Sequence, residues 1–106
     1  MSLFHGLREH RKPVYSIKEI ADTIYPIAQS YGVETIFLYG SYARGDADGD
    51  SDIDLLVFPG RARGMALGGL HNEICLALDK NVDIITNHAD PRFLNMISSE
   101  LVRIYG

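Results

Sequence analysis

The sequence predicts an α/β (α+β) fold, in which helices pack on a small mixed sheet of three strands or slightly more. Three short runs rich in β-branched and aliphatic residues predict the strands, and turn residues follow each of them. The stretches around these runs place apolar residues at helical spacing. Short strands that alternate with amphipathic helices are typical of a sheet with helices packed on it. The predicted strands are 35–39, 53–58 and 82–86.

The first predicted helix begins after Ser16 and ends before Gly32. Ser16 and Glu19 fit a capping box, in which each side chain accepts a hydrogen bond from the other residue's backbone N–H. Pro26 falls inside this helix and is expected to kink it or to remove one hydrogen bond. Gly32 is expected to end the helix, because glycine readily adopts the left-handed backbone found at helix C-termini.

Two more helices are predicted after the second and third strands. Residues 64–80 carry an apolar stripe, which Gly68 and Gly69 weaken near its start. Asp90-Pro91 is a typical helix start, with a capping side chain and then proline at the first helical position. We expect the last helix to reach Ile104 and to present one apolar face. The residues of that face are Phe93, Leu94, Ile97, Leu101 and Ile104.

The composition is that of one globular domain: 46% of the residues are apolar and 23% are charged. Residues 1–15 are predicted to be an irregular lead-in, and residues 16–106 a single domain. No apolar run approaches the ~20 residues of a membrane span, and we expect no signal peptide. Cys75 is the only cysteine, which excludes a disulfide within the chain and favours the cytoplasm.

The net charge of -4 is concentrated in one segment that contains five aspartates. Without these five, nine acidic residues face ten lysines and arginines. The sequence has no basic stripe of the kind that nucleic-acid-binding proteins use, so direct binding to nucleic acid is not expected. The local excess of negative charge indicates a site for a cation instead. The five residues are Asp46, Asp48, Asp50, Asp52 and Asp54.

Asp52 immediately precedes the second predicted strand and Asp54 is its second residue; residues two apart in an extended strand point to the same side, about 6.6 Å apart along the backbone. Ile53 and Leu55 then face the core. Two neighbouring carboxylates repel each other unless a cation lies between them. Mg²⁺ suits such oxygen ligands, because it takes one or two carboxylates and completes its shell with water and phosphate oxygens. Asp83, in the third strand, adds a third carboxylate if the two strands are neighbours.

Two simpler interpretations of the acidic segment fit it less well. An EF-hand that began at Asp46 would need glycine at the position of Ser51 and glutamate at the position of Val57. A solvated loop explains the first three aspartates but not the continued alternation of acids into an apolar strand. For Asp83, an ordinary acid at a strand end remains an alternative to a metal ligand.

The Gly40-Ser41 pair follows the first strand and predicts a phosphate site. Glycine lets a phosphate approach the backbone, and the free N–H groups of the turn and the Ser41 hydroxyl would bind it. A role for Ser41 as a helix N-cap is compatible with phosphate binding. Phosphate donors beside a metal site would bind a nucleoside triphosphate and transfer part of it.

The string GSYARGDADGDSDIDLLV, residues 40–57, resembles the minimal nucleotidyltransferase (MNT) branch of the polymerase-β-type nucleotidyltransferase superfamily. The resemblance implies a nucleotidyltransferase core in which Gly40 and Ser41 bind the triphosphate of ATP. It also implies that Arg44, which matches the GSxARG pattern of this branch, contacts phosphate or the acidic loop.

The same resemblance assigns the catalytic and metal-binding roles to Asp52, Asp54 and Asp83, which would hold two Mg²⁺ ions. The third of these acids is the one expected to deprotonate the hydroxyl of the acceptor. The match consists of the Gly-Ser pair, the Asp-x-Asp pair that follows it after ten intervening residues, and an acid on a later strand.

MNT proteins are similar to antitoxins that pair with a helical HEPN-domain toxin, and some attach AMP to a toxin tyrosine. The resemblance therefore implies a Mg²⁺-dependent antitoxin that transfers AMP from ATP to a HEPN partner. The short chain favours an acceptor carried by another protein, and the sequence is compatible with an oligomer. Two alternatives stay open: an antitoxin that neutralises the toxin by binding alone, and a nucleotidyltransferase for a small molecule such as an aminoglycoside.

Overall fold

The structure, a computed structural model, describes residues 13–106 as a four-stranded mixed sheet with helices packed on it, which confirms the predicted fold class. The predicted lead-in over residues 1–15 lies mostly outside the described residues. The elements in chain order are helix α1 (Ile17–Tyr31), strand β1 (Thr35–Tyr39), helix α2 (Ser41–Arg44), strand β2 (Ile53–Phe58), helix α3 (Met65–Leu78), strand β3 (Val82–Thr86), helix α4 (Pro91–Ile97), a 3₁₀ turn (Ser98–Glu100) and strand β4 (Val102–Tyr105).

The strand order is β3-β2-β1-β4, in which β2 and β3 are parallel and the other two pairs are antiparallel. This order brings the C-terminal end of β1 beside the N-terminal ends of β2 and β3. Tyr39 of β1 lies opposite Asp54, and Asp54 lies opposite Asp83. The acidic residues of two strands therefore meet at one end of the sheet, next to the turn that follows β1.

The main core lies between the sheet and helices α1 and α3. Ile53, Leu55 and Val57 of β2 are fully buried in it, as the alternation of strand residues predicts. The other face of the sheet carries a smaller cluster, in which Leu56 packs near Ile97 of α4. Both faces of β2 are thus covered by apolar residues, and the alternation along the strand determines which side chains point to each face.

The predicted start and end of α1 are confirmed. Ser16 Oγ accepts a hydrogen bond from the Glu19 N–H at 3.0 Å, and Glu19 Oε1 accepts one from the Ser16 N–H at 2.8 Å. Gly32 ends the helix with a φ of 71°, in the left-handed region. Pro26 lies inside the helix, which continues across it.

Helix α3 spans Met65–Leu78, slightly less than predicted. Its buried residues Leu70, Ile74 and Leu78 form the expected apolar stripe, and Cys75 is half-buried beside them. No helix within residues 13–106 combines the length and the apolar character that a membrane span requires.

The C-terminal helix is much shorter than predicted. Helix α4 begins at Pro91 with Asp90 as its cap, as expected, but it ends at Ile97. The chain then forms the 3₁₀ turn and strand β4. The prediction that Leu101 and Ile104 belong to the apolar face of a helix is therefore wrong.

Strand β4 pairs with β1 and covers a strand edge whose backbone N–H and C=O groups would otherwise be open to solvent. Val102 and Ile104 pack against the main core, while Arg103 between them is exposed. This alternation has the period of a strand, and β-branched residues such as these favour strands.

Replacing Ile104 with alanine is expected to lower the free energy of unfolding by about 2–3 kcal/mol, because it removes a buried side chain from the core. Arg103→Ala, on the exposed side of β4, should cost at most about 1 kcal/mol, from the lost contact with the Phe37 ring. Urea unfolding followed by circular dichroism measures both losses. Losses of equal size at the two positions would argue against the strand.

Candidate active site

Asp54 and Asp83 lie side by side on the parallel strands β2 and β3, and Asp52 immediately precedes β2. Asp54 is half-buried, whereas Asp52 and Asp83 are exposed. Burial, followed by the charges of Asp83 and Asp52, raises the pKa of Asp54 from its ordinary 3.8 to about 6. Asp54 is therefore close enough to Asp83 and Asp52 for their charges to repel its own.

Tyr39, which pairs with Asp54 across the sheet, lies at the same acidic end. Burial, followed by the charges of Asp54, Asp83 and Glu100, raises the pKa of the Tyr39 hydroxyl to about 12. The hydroxyl consequently stays protonated at neutral pH. Glu100, from the 3₁₀ turn, is thus a fourth acid at this end of the sheet.

The backbone of Gly40 lies directly against the carboxylate of Asp54. A Cβ atom on Gly40 would come within 2.3 Å of Asp54 Oδ2, a distance that real Cβ atoms essentially never show. Gly40 also has a φ of 78° and a ψ of -153°, a conformation that glycine adopts readily and other residues do not. Only glycine therefore fits between β1 and the acidic pair.

Gly40, and not Ser41, occupies the N-cap position of α2, so Ser41 does not cap the helix. Ser41 is the first residue of the helix and is half-buried. Its carbonyl accepts hydrogen bonds from the N–H groups of Gly45 and Asp46, each at 3.0 Å. These bonds close the turn. Ser41 follows Gly40 in the chain and therefore lies next to the contact between Gly40 and Asp54.

Glu100 contacts two of the predicted nucleotide-binding residues, although no motif in the sequence indicated that it belongs to the site. Its Oε2 accepts a hydrogen bond from the Gly40 N–H at 2.7 Å, so this N–H is not free for phosphate, contrary to the expectation. Arg44 Nη1 lies 3.3 Å from Glu100 Oε1, and Arg44 Nε lies 3.3 Å from Asp46 Oδ2. Arg44 therefore contacts the acidic loop, which is one of its two expected roles.

Lys80 organises the loop between α2 and β2, and the sequence carried no signal for this role either. Its side chain is almost completely buried, and its Nζ donates hydrogen bonds to the carbonyls of Gly49, at 3.0 Å, and Ser51, at 3.4 Å. The same Nζ lies 5.9 Å from the centre of the Tyr42 ring. A buried ammonium needs such partners because its desolvation is costly. Lys80 thereby fixes the segment that leads into Asp52.

Within residues 13–106, no group of three or more histidine, cysteine, aspartate or glutamate side chains is arranged to hold a metal ion. The structure therefore brings Asp52, Asp54 and Asp83 to one end of the sheet but not into a shared ligand geometry. These residues still fit Mg²⁺, which needs only one or two carboxylates and takes its other ligands from water and phosphate. A cation would also offset the repulsion that raises the pKa of Asp54.

A strand, a glycine turn, a short helix and two adjacent acidic strands form a site that suits the handling of nucleotide polyphosphates. The acidic strands favour a cation, and Ser41 and Arg44 offer groups that can contact phosphate oxygens. This arrangement is typical of an enzyme that transfers nucleotidyl groups.

The chain belongs to the polymerase β nucleotidyltransferase family, whose sequence model matches residues 22–106. It is also 36% identical over 91 residues to a candidate protein adenylyltransferase from Methanocaldococcus jannaschii, and this match covers 84% of the present chain and 98% of the relative. The predicted resemblance and the prediction of a nucleotidyltransferase enzyme are thereby confirmed.

Solved structures share the fold. A candidate minimal nucleotidyltransferase superimposes with a TM-score of 0.70 at 25% identity, covering 83% of this chain and 95% of that one. A chain of a toxin–antitoxin complex with AMP-PNP gives 0.70 at 23% identity, covering 81% and 73%. A chain from the complex of a tri-AMPylated Shewanella oneidensis HEPN toxin with its MNT antitoxin gives 0.63 at 20% identity, covering 85% and 72%.

Asp54→Asn is expected to raise the free energy of unfolding at neutral pH, in the absence of divalent cations, by about 1–2 kcal/mol after allowance for solvent screening. The folded-state pKa of Asp54 is raised, so its ionisation disfavours the folded state. This penalty is absent below pH 3.8 and complete above about pH 6, and the gain should follow the same course. Urea unfolding in EDTA across this range measures it. Asp50→Asn, an exposed change in the loop that precedes β2, should show no such gain, and equal gains for both variants would contradict this role of Asp54.

Gly40→Ala is expected to destabilise the protein by about 2–4 kcal/mol, through backbone strain and the clash with Asp54. In an Asp54→Ala background the clash is removed, so only the backbone strain of about 1–3 kcal/mol should remain. A double-mutant cycle of unfolding free energies measures the difference. Additive effects of the two substitutions would show that Gly40 and Asp54 are not in contact.

Proposed function

We propose that this protein is a Mg²⁺-dependent antitoxin that transfers AMP from ATP to a tyrosine hydroxyl of a partner HEPN toxin. The observation that carries the proposal is the pairing of Asp54 with Asp83 beside the glycine turn. The name of the relative from Methanocaldococcus jannaschii, a candidate protein adenylyltransferase, supports a protein as the acceptor. The tri-AMPylated HEPN toxin bound to an MNT antitoxin in Shewanella oneidensis supports this partner.

In the proposed reaction the hydroxyl oxygen of the acceptor attacks the α-phosphorus of ATP. The bond from that phosphorus to the bridging oxygen breaks, and pyrophosphate leaves. Asp83, which is exposed at the end of β3, takes the hydroxyl proton. Two Mg²⁺ ions, held by Asp52, Asp54 and Asp83, would supply charge neutralisation and orient the phosphates. Ser41 binds the triphosphate, and Arg44 faces the charge that develops on the leaving pyrophosphate.

The cytoplasm is the proposed location, since the proposed reaction uses ATP. A single cysteine in the sequence supports a reducing compartment. The proposed partners are consequently ATP, Mg²⁺ and the HEPN protein.

The test uses ATP labelled at the α-phosphate, Mg²⁺ and the HEPN-domain protein encoded by the adjacent gene. The wild-type protein should transfer label to that protein, and Asp52→Asn combined with Asp54→Asn should lower the rate by at least about a hundredfold. Asp50→Asn removes a charge from the same loop without touching the acidic pair and should leave the rate unchanged. EDTA should stop the transfer by the wild-type protein.

Three results would contradict the proposal, and two of them would indicate another function. Unchanged labelling by the double variant would exclude the acidic pair from the chemistry. A double variant that transfers no label but still protects cells from the toxin would indicate an antitoxin that acts by binding. Label on an added aminoglycoside, and none on the HEPN protein, would indicate a small-molecule enzyme.

A further inference from the structure

We propose that Glu100 is a positioning residue of the nucleotide site: its single carboxylate fixes both the Gly40 turn and the Arg44 guanidinium. The contacts themselves are features of the fold, and the inference rests on the proposed function only where it names a nucleoside triphosphate as the ligand. No role in the reaction itself follows for Glu100, because it contacts the glycine turn and the arginine of the proposed site and not the reacting atoms.

The first contact fixes the turn. Glu100 Oε2 accepts the Gly40 N–H at 2.7 Å in a partly buried setting, and a hydrogen bond to a charged acceptor is stronger than a neutral one. Gly40 alone has no strong preference among several backbone conformations, because glycine visits positive and negative φ about equally. The bond to Glu100 therefore selects the conformation in which the turn lies against Asp54.

The second contact orients the guanidinium group of Arg44. Glu100 Oε1 holds Arg44 Nη1 and Asp46 Oδ2 holds Arg44 Nε, each at 3.3 Å. The two acids engage Nε and Nη1 of this arginine, and neither of these contacts within residues 13–106 prevents Nη2 from donating to a ligand. A long arginine side chain loses much rotamer freedom when a ligand orders it, so an arginine already held in place binds at a lower entropic cost.

The charge of Glu100 opposes the effect of these contacts. Glu100 is negatively charged, as is a triphosphate, and its charge is among those that raise the pKa of Asp54. The paired guanidinium of Arg44 offsets much of this charge locally. Loss of the side chain, in contrast, releases the turn and the arginine together. We therefore expect the gain from a fixed turn and a fixed arginine to exceed the repulsion between Glu100 and the triphosphate, so that Glu100 strengthens nucleotide binding.

Calorimetric binding of a non-hydrolysable ATP analogue with Mg²⁺ tests the proposal. Glu100→Ala should weaken binding about tenfold, as expected for the loss of a charge-assisted hydrogen bond. Glu100→Gln should stay within about threefold of the wild type, because its amide oxygen still accepts the Gly40 N–H. Glu34→Gln makes the same charge change at the opposite end of β1 and should have no effect. In the transfer assay, the KM for ATP should rise with little change in kcat.

The Gly40 amide resonance reports the contact without any nucleotide. Its signal should shift in Glu100→Ala, and its hydrogen exchange should become faster, while Glu100→Gln stays close to the wild type. Unchanged or tighter nucleotide binding by Glu100→Ala would overturn the proposal, and tighter binding would mark Glu100 as a competitor of phosphate for Arg44. If the wild-type protein bound no ATP analogue, the proposed function would fail, and the Gly40 resonance would still decide whether Glu100 fixes the turn.

Discussion

The contact between the Gly40 backbone and the Asp54 carboxylate determines the geometry of the acidic end of the sheet. It follows from the pairing of β1 with β2, because Tyr39 lies opposite Asp54 and Gly40 is the next residue. The burial of Ile53 and Leu55 leaves Asp54 no choice of face, since strand residues alternate. The core behind β2 therefore places a carboxylate beside a turn that only glycine can form.

This placement has an energetic consequence for the fold. Asp54 is half-buried among like charges, and its raised pKa shows that its ionisation opposes folding at neutral pH. The hydrophobic core on the far side of β2 outweighs this effect, as buried aliphatic side chains contribute about 1.5–3 kcal/mol each. Acidic residues that are arranged to bind a cation are expected to destabilise the folded state while the cation is absent. Under the proposed function, a bound cation would offset the repulsion at Asp54 and shift the balance towards the folded state.

Two basic side chains limit the repulsion without removing it. Lys80 is buried and donates hydrogen bonds to two carbonyls of the loop that leads into Asp52, which places its positive charge beside that acidic loop. Arg44 lies between Glu100 and Asp46 and offsets their charges. Within the described part of the chain, neither cation forms an ion pair with Asp54 or Asp83, so these two carboxylates remain open to a cation from solution.

Local sequence signals were sufficient for most of the fold. The three predicted strands have the observed bounds because each is a short apolar run that turn residues end. The pairing of Asp54 with Asp83 could be anticipated because each acid interrupts such a run. Strand β4 could not, since the spacing of Leu101 and Ile104 suits a helix as well, and only the open edge of β1 decides between the two. Glu100 was hidden for a related reason: 60 positions separate it from Gly40.

The acidic strand ends and the glycine turn should act together as one cation and phosphate site. Paramagnetic relaxation by Mn²⁺, added with a non-hydrolysable ATP analogue to isotope-labelled protein, tests this most directly. We expect the amide resonances of Gly40, Asp54 and Asp83 to broaden first, while those of Glu34 and Thr86, at the other end of the sheet, persist. Broadening that is centred on Glu34 and Thr86, or that is uniform over the chain, would contradict a shared site.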